Sequence, residues 1–468
     1  SGNLETRQLM IKLSAQDFAS VVSGSLHDIS PSQILDQDPV INSKDASAKN
    51  FFVAFKGEKF DGHDFVSEAL NSGAKFSLVS KSVSGPHVLV SDVGQALIDL
   101  ARFVRTQLPN MKVIGITGSQ GKTTTKEFLY SVLQNEGTTV ATAGNFNTDI
   151  GVPLTLLRST EATKFCILEM GARHVGDIAK LTELANPNVG VVLVVGTAHL
   201  GEFGSVEAIA KTKSELIKAL SPKMTAVLGT YDQFTPKMAD SLDLNTVLFG
   251  DGQIVRAADI ELHGGFAHFD LVTPAGRNSV ALQVIGEHQI PNALAAAAAA
   301  FSLGVKNESI AIGLTTALLS SKWRMQIETI NGIQIIHDYY NANPESMKAA
   351  LKTLVMLSQE SGGSSWAILG KMHELGSKES SGHLEVAEFA SQLGVDHLVS
   401  VAPAVYQESN NQSSDENMLI HNCSSAAAVL ELVNNISTGD VILLKASRSE
   451  KFEDLAELIK KALEGDQA

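Results

Sequence analysis

The chain has 468 residues, too many for one ordinary core, and at roughly 100–200 residues per domain two to four domains are expected. Its 51 acidic against 36 basic residues leave a net charge of −15, which opposes nucleic acid as a partner because phosphates need a basic face. No apolar run approaches the ~20 residues of a membrane span and no signal-peptide pattern opens the chain, so a cytoplasmic location is expected.

Residues 1–105 mix short strands and helices, with Phe51, Val53 and Phe55 alternating as in a strand, and Thr106 to Asn110 reads as the first linker. Over 106–320, strand candidates at 113–117, 138–143, 164–169, 189–195 and 224–229 alternate with helical segments, predicting a parallel sheet covered on both faces. Within it the stretch 292–304, NALAAAAAAFSLG, predicts a closely packed helix ended by Gly304. Over 321–468, strand candidates at 333–338, 366–370, 395–401 and 440–445 predict an open, doubly wound, Rossmann-like sheet. The fold class is therefore α/β in three domains. The two cysteines, Cys166 and Cys423, lie far apart in sequence and read as buried thiols rather than a disulfide or a zinc site.

The stretch 114–127, IGITGSQGKTTTKE, lies between a strand candidate and a helical run. The common Gly-x-x-x-x-Gly-Lys-Ser/Thr phosphate loop needs glycine at position 116, where this chain has Ile116. What survives is Gly118-Ser119-Gln120-Gly121-Lys122-Thr123. Two glycines let that backbone turn and aim N–H groups inward, Lys122 adds a mobile charge for phosphate oxygens, and Thr123 offers a hydroxyl suited to magnesium. A helix beginning there turns its positive dipole end toward an anion. An ordinary glycine-rich turn is the alternative, and Lys-Thr in phase weighs against it.

Ligands of parallel sheets collect at the carboxyl ends of strands, so polar residues placed there come next. Glu169, after Phe165 to Leu168, either meets the loop's metal or caps the next turn. His199, in VGTAHLGEFGS, reads on spacing alone as a hydrogen-bonded loop histidine in preference to a ligand, since magnesium prefers oxygen. Lys213 shares a helical stretch with Lys211, and from the residues alone both read as solvated. Arg324 offers a planar cation for a γ-phosphate and Asp338 a carboxylate for ribose hydroxyls, with surface pairing as the alternative for each. Tyr339, Tyr340, Asn341, Asn343 and Pro344 turn into a helix predicted over 345–358 and would suit a purine, although turn chemistry also accounts for them.

Taken together, TGSQGKTT, GNFNTDIGVPLT (144–155), EMGARHVGDI (169–178), AHLGEFGS (198–205), HQIPNALAAAAA (288–299) and HDYYNANPESM (337–347) resemble the Mur ligase family. That family's shorter phosphate loop, TGxxGKT, accounts for Ile116. FFVAFKGEKFDGHDF (51–65), LGKMHELG (369–376) and LLKASRS (443–449) resemble those members that join D-alanyl-D-alanine to UDP-N-acetylmuramoyl-tripeptide. The chain departs from their pattern at Lys44, Lys371 and Ala446. The resemblance implies an N-terminal uridine-nucleotide domain, a central ATPase-like domain and a C-terminal ligase domain. It further implies ATP and Mg2+ as cofactors, the two peptide substrates as partners, and a monomer.

By the same resemblance, Gly118, Ser119, Gln120, Gly121, Lys122, Thr123 and Thr124 hold ATP, with Asn292 on adenine, Arg324 on the γ-phosphate and Asp338 on ribose. Thr123 and Glu169 serve one magnesium; His199 and a carbamylated Lys213 serve a second. Ser43 and Lys44 face UDP, and Asn145, Asn147 and Thr148 face the muramoyl peptide. The competing readings are another Mur-type ligase, adding the third peptide residue or resembling a folylpolyglutamate synthase, and a nucleotide-binding switch without catalysis.

Overall fold

The computed structural model describes residues 10–57, 59–144, 146–198, 200–319, 322–401, 406 and 418–465. The N-terminal part carries a five-stranded sheet in the order Ser25–His27, His87–Leu89, Ser77–Val79, Asn50–Val53, Asp38–Val40. Phe51 and Val53 point to one face, where Phe51 stacks on Phe76 with ring centroids 4.9 Å apart. Phe52 and Ala54 are also buried, on the other face against Val66 and Ala69. Phe55 follows the strand. The helix Val93–Gln107 runs through the first two residues of the expected linker. At its end the Arg105 guanidinium donates to the carbonyls of Ala185, Leu108 and Asn186, pinning this helix to the end of the helix Asp177–Ala185 in the central part.

Six parallel strands form the central sheet, in the order Asn245–Phe249, Thr225–Gly229, Val189–Val192, Lys112–Thr117, Phe165–Glu169, Thr139–Ala141. Helices cover both faces, which is why its strands are continuous apolar runs. On one face the helices Lys122–Leu133, Gln289–Ser302 and Asn307–Thr315 pack together. Ala293 to Ala300 are all buried, their small side chains allowing close approach, and a Cβ placed on Gly313 would lie 2.6 Å from Val132 Cα. The alanine helix ends at Ser302, just before Gly304.

Two features of this region were not anticipated. Asn245–Phe249 adds an edge strand, and Arg256–His263, Phe266–Thr273 and Gly276–Ile285 form an antiparallel three-stranded sheet. The C-terminal sheet has six strands in the order Gln326–Ile330, Ile333–His337, Val441–Lys445, Ser365–Leu369, His397–Ser400, Leu419–Asn422. Only its first pair is antiparallel, so the sheet is the doubly wound one expected, with Gln326–Ile330 and Leu419–Asn422 added as its edges. Cys166 and Cys423 are buried free thiols.

Candidate active site

The central strand Lys112–Thr117 delivers the loop, and the helix Lys122–Leu133 leaves it. Gly121 sits at φ +81° as the residue before that helix, a left-handed conformation that favours glycine, and a Cβ there would lie 2.1 Å from Asn292 Oδ1. The loop and the asparagine from the alanine helix are thus in direct apposition. Lys122 Nζ donates back to the Gly118 carbonyl at 2.8 Å. Its burial pulls its pKa down, with Glu169 opposing and Arg324 reinforcing that shift. Ser119 Oγ accepts from Gly196 N–H at 2.8 Å and faces the Gly196 carbonyl at 3.3 Å, tying the loop to the neighbouring strand's exit.

Glu169 ends its strand almost fully buried, and its two carboxylate oxygens accept from Thr123 Oγ1 at 3.0 Å and Asn147 Nδ2 at 2.9 Å. Both carboxylate oxygens are thus engaged by side chains of other segments rather than by N–H groups of the following turn, and its backbone N–H donates to Thr142 Oγ1. Lys213 is buried while Lys211 is exposed, which overturns the reading of two solvated lysines. Desolvation, helped by the charge of Lys122, pulls the Lys213 amine down to about 7.

From the turn just before the C-terminal sheet, Arg324 lays its guanidinium 4.0 Å from the centroid of the Tyr340 ring. Asp338 receives Lys445 Nζ at 2.6 Å, and the same ammonium donates to the Asn341 carbonyl at 3.0 Å. The aromatic and amide group after Asp338 divides its duties. Tyr339 is buried against Trp323 and Phe452, Asn343 caps the helix Pro344–Ser361 in a reciprocal box with Ser346, and Tyr340, Asn341 and Asn343 line the cavity.

One cavity of about 740 Å³ brings these groups together. Ser119 through Thr124, Asn147, Thr148, Glu169, Lys213 and Asn292 line it from the central part, and Arg324 and Asp338 from the third. Gly118 touches it only through Lys122. Ser43 and Lys44 do not line it: they form a tight turn in which Ser43 Oγ donates to Glu68 Oε2 at 3.1 Å. Asn145 and His199 lie outside the described residues.

Sequence reading missed Lys445, His288, Tyr231 and Phe249 as lining residues. Lys445 and Phe249 end strands and Tyr231 follows one, so the strand-end rule could have found them. Burial pushes the His288 ring down to about 4, keeping it neutral beside Lys445 and Asp338. At the departures from the family pattern, Lys371 pairs with Glu379 at 2.7 Å, and Ala446 packs beside Gly370.

Among the described residues no three His, Cys, Asp or Glu side chains gather into an all-protein metal cage. Thr123 with Glu169 nevertheless suits magnesium, a hard ion that takes oxygen and commonly completes its shell with phosphate oxygens and water.

A phosphate loop at the carboxyl edge of one parallel sheet, facing a guanidinium and a buried ion pair from a second across one cavity, defines a two-sheet nucleotide-using enzyme. Three family models match: "Mur ligase family, catalytic domain" over residues 40–113, "Mur ligase middle domain" over 116–300, and "Mur ligase, glutamate ligase domain" over 323–448. The UDP-N-acetylmuramoyl-tripeptide--D-alanyl-D-alanine ligase of Mycobacterium tuberculosis is 35% identical, covering 96% of this chain and 98% of that protein. The crystal structure of MurF from Acinetobacter baumannii superposes with a TM-score of 0.86 at 33% identity, over 97% of this chain and 99% of that one. MurF ligase from Thermotoga maritima, solved in complex with ADP, gives a TM-score of 0.78 at 31% identity, over 92% and 99%. The chain belongs to the Mur ligase family, whose members are ATP-dependent ligases that form amide bonds.

Proposed function

We propose that this enzyme joins D-alanyl-D-alanine to UDP-N-acetylmuramoyl-tripeptide, spending ATP and yielding the UDP-muramoyl-pentapeptide used to build the cell wall. The observation that carries this reading is the single cavity in which the phosphate loop and Glu169 face Arg324 and Asp338. A tripeptide carboxylate must approach a triphosphate, and two anions meet only where cations offset the charge that develops.

In this mechanism Lys122 swings from the Gly118 carbonyl onto the phosphates, and Arg324, already stacked on Tyr340, meets the γ-phosphate from the other side. A carboxylate oxygen attacks the γ-phosphorus, the bond to the β-phosphate oxygen breaks, and ADP leaves. The neutral amine of the dipeptide then attacks the acyl carbon; the C–N bond forms, inorganic phosphate departs, and the amine's proton is released. Magnesium, held by Thr123 and Glu169, would neutralise phosphate charge, and Asn147 fixes the orientation of the Glu169 carboxylate. Asn292, against Gly121, and the walls formed by Tyr231, Phe249 and neutral His288 suit an adenine; Asp338 suits the ribose. Lys213, as a carbamate, would serve as an oxygen ligand to a second magnesium together with His199. Ser43 and Lys44 would contact UDP, and Asn145, Asn147 and Thr148 the muramoyl peptide.

The test measures phosphate release from ATP with UDP-N-acetylmuramoyl-tripeptide, with and without D-alanyl-D-alanine, alongside mass detection of the pentapeptide. Release that ignores the dipeptide would sink the reading. The same reading has the enzyme acting as a monomer in the bacterial cytoplasm, and light scattering at assay concentrations that gave a dimer mass would contradict the first part.

A further inference from the structure

The phosphate loop is joined to a helix of the third part by hydrogen bonds that none of the roles above uses. Ser119 Oγ is paired with both backbone groups of Gly196. The next residue, Thr197, donates from its backbone N–H to Glu345 Oε1 at 3.2 Å, and its hydroxyl lies 2.9 Å from each Glu345 oxygen. Glu345 belongs to the third part of the chain, in the first turn of the helix Pro344–Ser361. Close by, Gly201 N–H donates to the Glu374 carbonyl at 2.9 Å, and a Cβ on Gly201 would lie 2.9 Å from Gly376 N. The central part and the third part therefore meet backbone to backbone beside the Glu345–Thr197 contact.

An acidic residue in a first helical turn ordinarily needs no explanation, since it complements the helix dipole and satisfies free N–H groups. Here that task is already done: Asn343 Oδ1 accepts from Ser346 N–H and Ser346 Oγ from Asn343 N–H. Both Glu345 oxygens go instead to Thr197, 148 residues away in sequence. A half-buried carboxylate that takes a backbone N–H and a hydroxyl from the loop after Val189–Val192 sets the relative position of the central and third parts, because the bonds exist only at one separation.

We infer that Glu345 is a positioning residue for the ligation: by holding Thr197 it fixes Gly196 under Ser119 and brings Arg324, Asp338 and Lys445 into register with the phosphate loop. This rests on the ligase reading. The contact acts only when the sheets are together, so its loss lowers the fraction of enzyme in which the cavity is assembled and thereby the turnover.

The test compares Glu345→Ala, Thr197→Val, Thr197→Ser and the Glu345→Ala/Thr197→Val double variant in the tripeptide and dipeptide ligation assay. Thermal unfolding is recorded for each. Each of the first two should lose roughly tenfold in kcat with an unfolding midpoint near that of the wild type. The double variant should be no slower than Glu345→Ala alone, since Thr197→Val removes only part of the contact that Glu345→Ala removes whole. Thr197→Ser keeps the hydroxyl that Thr197→Val removes and should recover most of the loss. Additive losses, or wild-type kcat in Thr197→Val, would overturn the inference, as would a Thr197→Ser enzyme as slow as Thr197→Val. If Glu345→Ala fails to fold, the near-isosteric Thr197→Val against Thr197→Ser decides alone. A wild-type enzyme that releases phosphate without regard to the dipeptide would count against the ligase reading, whereas these comparisons concern Glu345.

Discussion

Replacing Lys213 by methionine should make the protein more stable while abolishing its activity. Lys213 is buried and its amine is pulled from an ordinary 10.5 down to about 7. That displacement corresponds to a penalty on the order of 5 kcal/mol for keeping the ammonium folded, taken at ~1.4 kcal/mol per pH unit. Below pH 7 the group is charged in both states and the penalty is complete. As pH rises toward 10.5 the folded state has lost the proton while the unfolded chain retains it, so the penalty shrinks and stability climbs. Methionine keeps most of the volume and carries no charge, so Lys213→Met should gain roughly 1–3 kcal/mol at pH 7, or a few degrees in unfolding midpoint, and the gain should fade toward pH 10.

Unfolding is measured with chelator in carbon dioxide-free buffer, because the neutral amine is also the form that adds carbon dioxide: its nitrogen bonds the carbon, loses a proton and becomes an anionic carbamate. At pH 7.5 about three quarters of such an amine is neutral, against roughly one in a thousand for a solvated lysine. Depleting carbon dioxide should therefore slow the wild type. Lys213→Ala should lose most activity and regain part of it with short-chain carboxylic acids, and Lys211→Ala should do neither. A Lys213→Met protein less stable than wild type at pH 7 would refute the desolvation argument. Normal turnover by Lys213→Ala would refute the carbamate.

Lys122→Ala should keep the fold and lose a factor on the order of 100 or more in turnover, as removal of a preorganised cation does, and near wild-type rates would exclude its role. Lys445→Met leaves the Asp338 carboxylate without its buried partner and should cost roughly 3–5 kcal/mol; adding Asp338→Leu should restore stability but not ligation, and an undiminished unfolding midpoint in the single variant would contradict this. Burial pushes the Cys166 thiol up to about 12, so at pH 8 only about one part in ten thousand is thiolate. It should resist thiol reagents until the protein unfolds, and stoichiometric labelling of the folded enzyme would falsify that expectation.

What could be read from the sequence was local in origin. The phosphate loop, the strands feeding it and the alanine helix each declare themselves within about fifteen residues, by apolar runs, glycines in phase and helix propensity. The small antiparallel sheet was legible too: Ala267, Phe269, Leu271 and Thr273 are buried at every second position, between turns at Gly264-Gly265 and at Pro274-Ala275. The chemistry of the lysines was not legible. Lys211 and Lys213 stand about 200° apart around one helix, and only the sheet packed against it decides which is desolvated. The Lys445–Asp338 pair spans 107 residues, and no local pattern could join them. For Ser43 and Lys44, the residues gave only a resemblance, and the structure keeps them away from the cavity that unites the rest.

The net charge of −15 and the cavity's chemistry pull in opposite directions, and their separation is part of how the site works. Lys122, Lys213, Arg324 and Lys445 all line one cavity, with Lys126 buried just behind the loop on the Thr142 carbonyl. Cations so close would repel one another and suffer desolvation. The fold answers in three ways. It lowers the proton affinity of Lys122, Lys126 and Lys213, lays Arg324 over an aromatic face, and pairs Lys445 with Asp338. A triphosphate entering this cavity supplies the missing negative charge to groups of which Arg324 and Lys445 are already held in place, so little of its binding energy goes into ordering those two. The acidic exterior is then no obstacle, because exposed charges beyond about 10 Å are screened by salt while those lining the buried cavity are not.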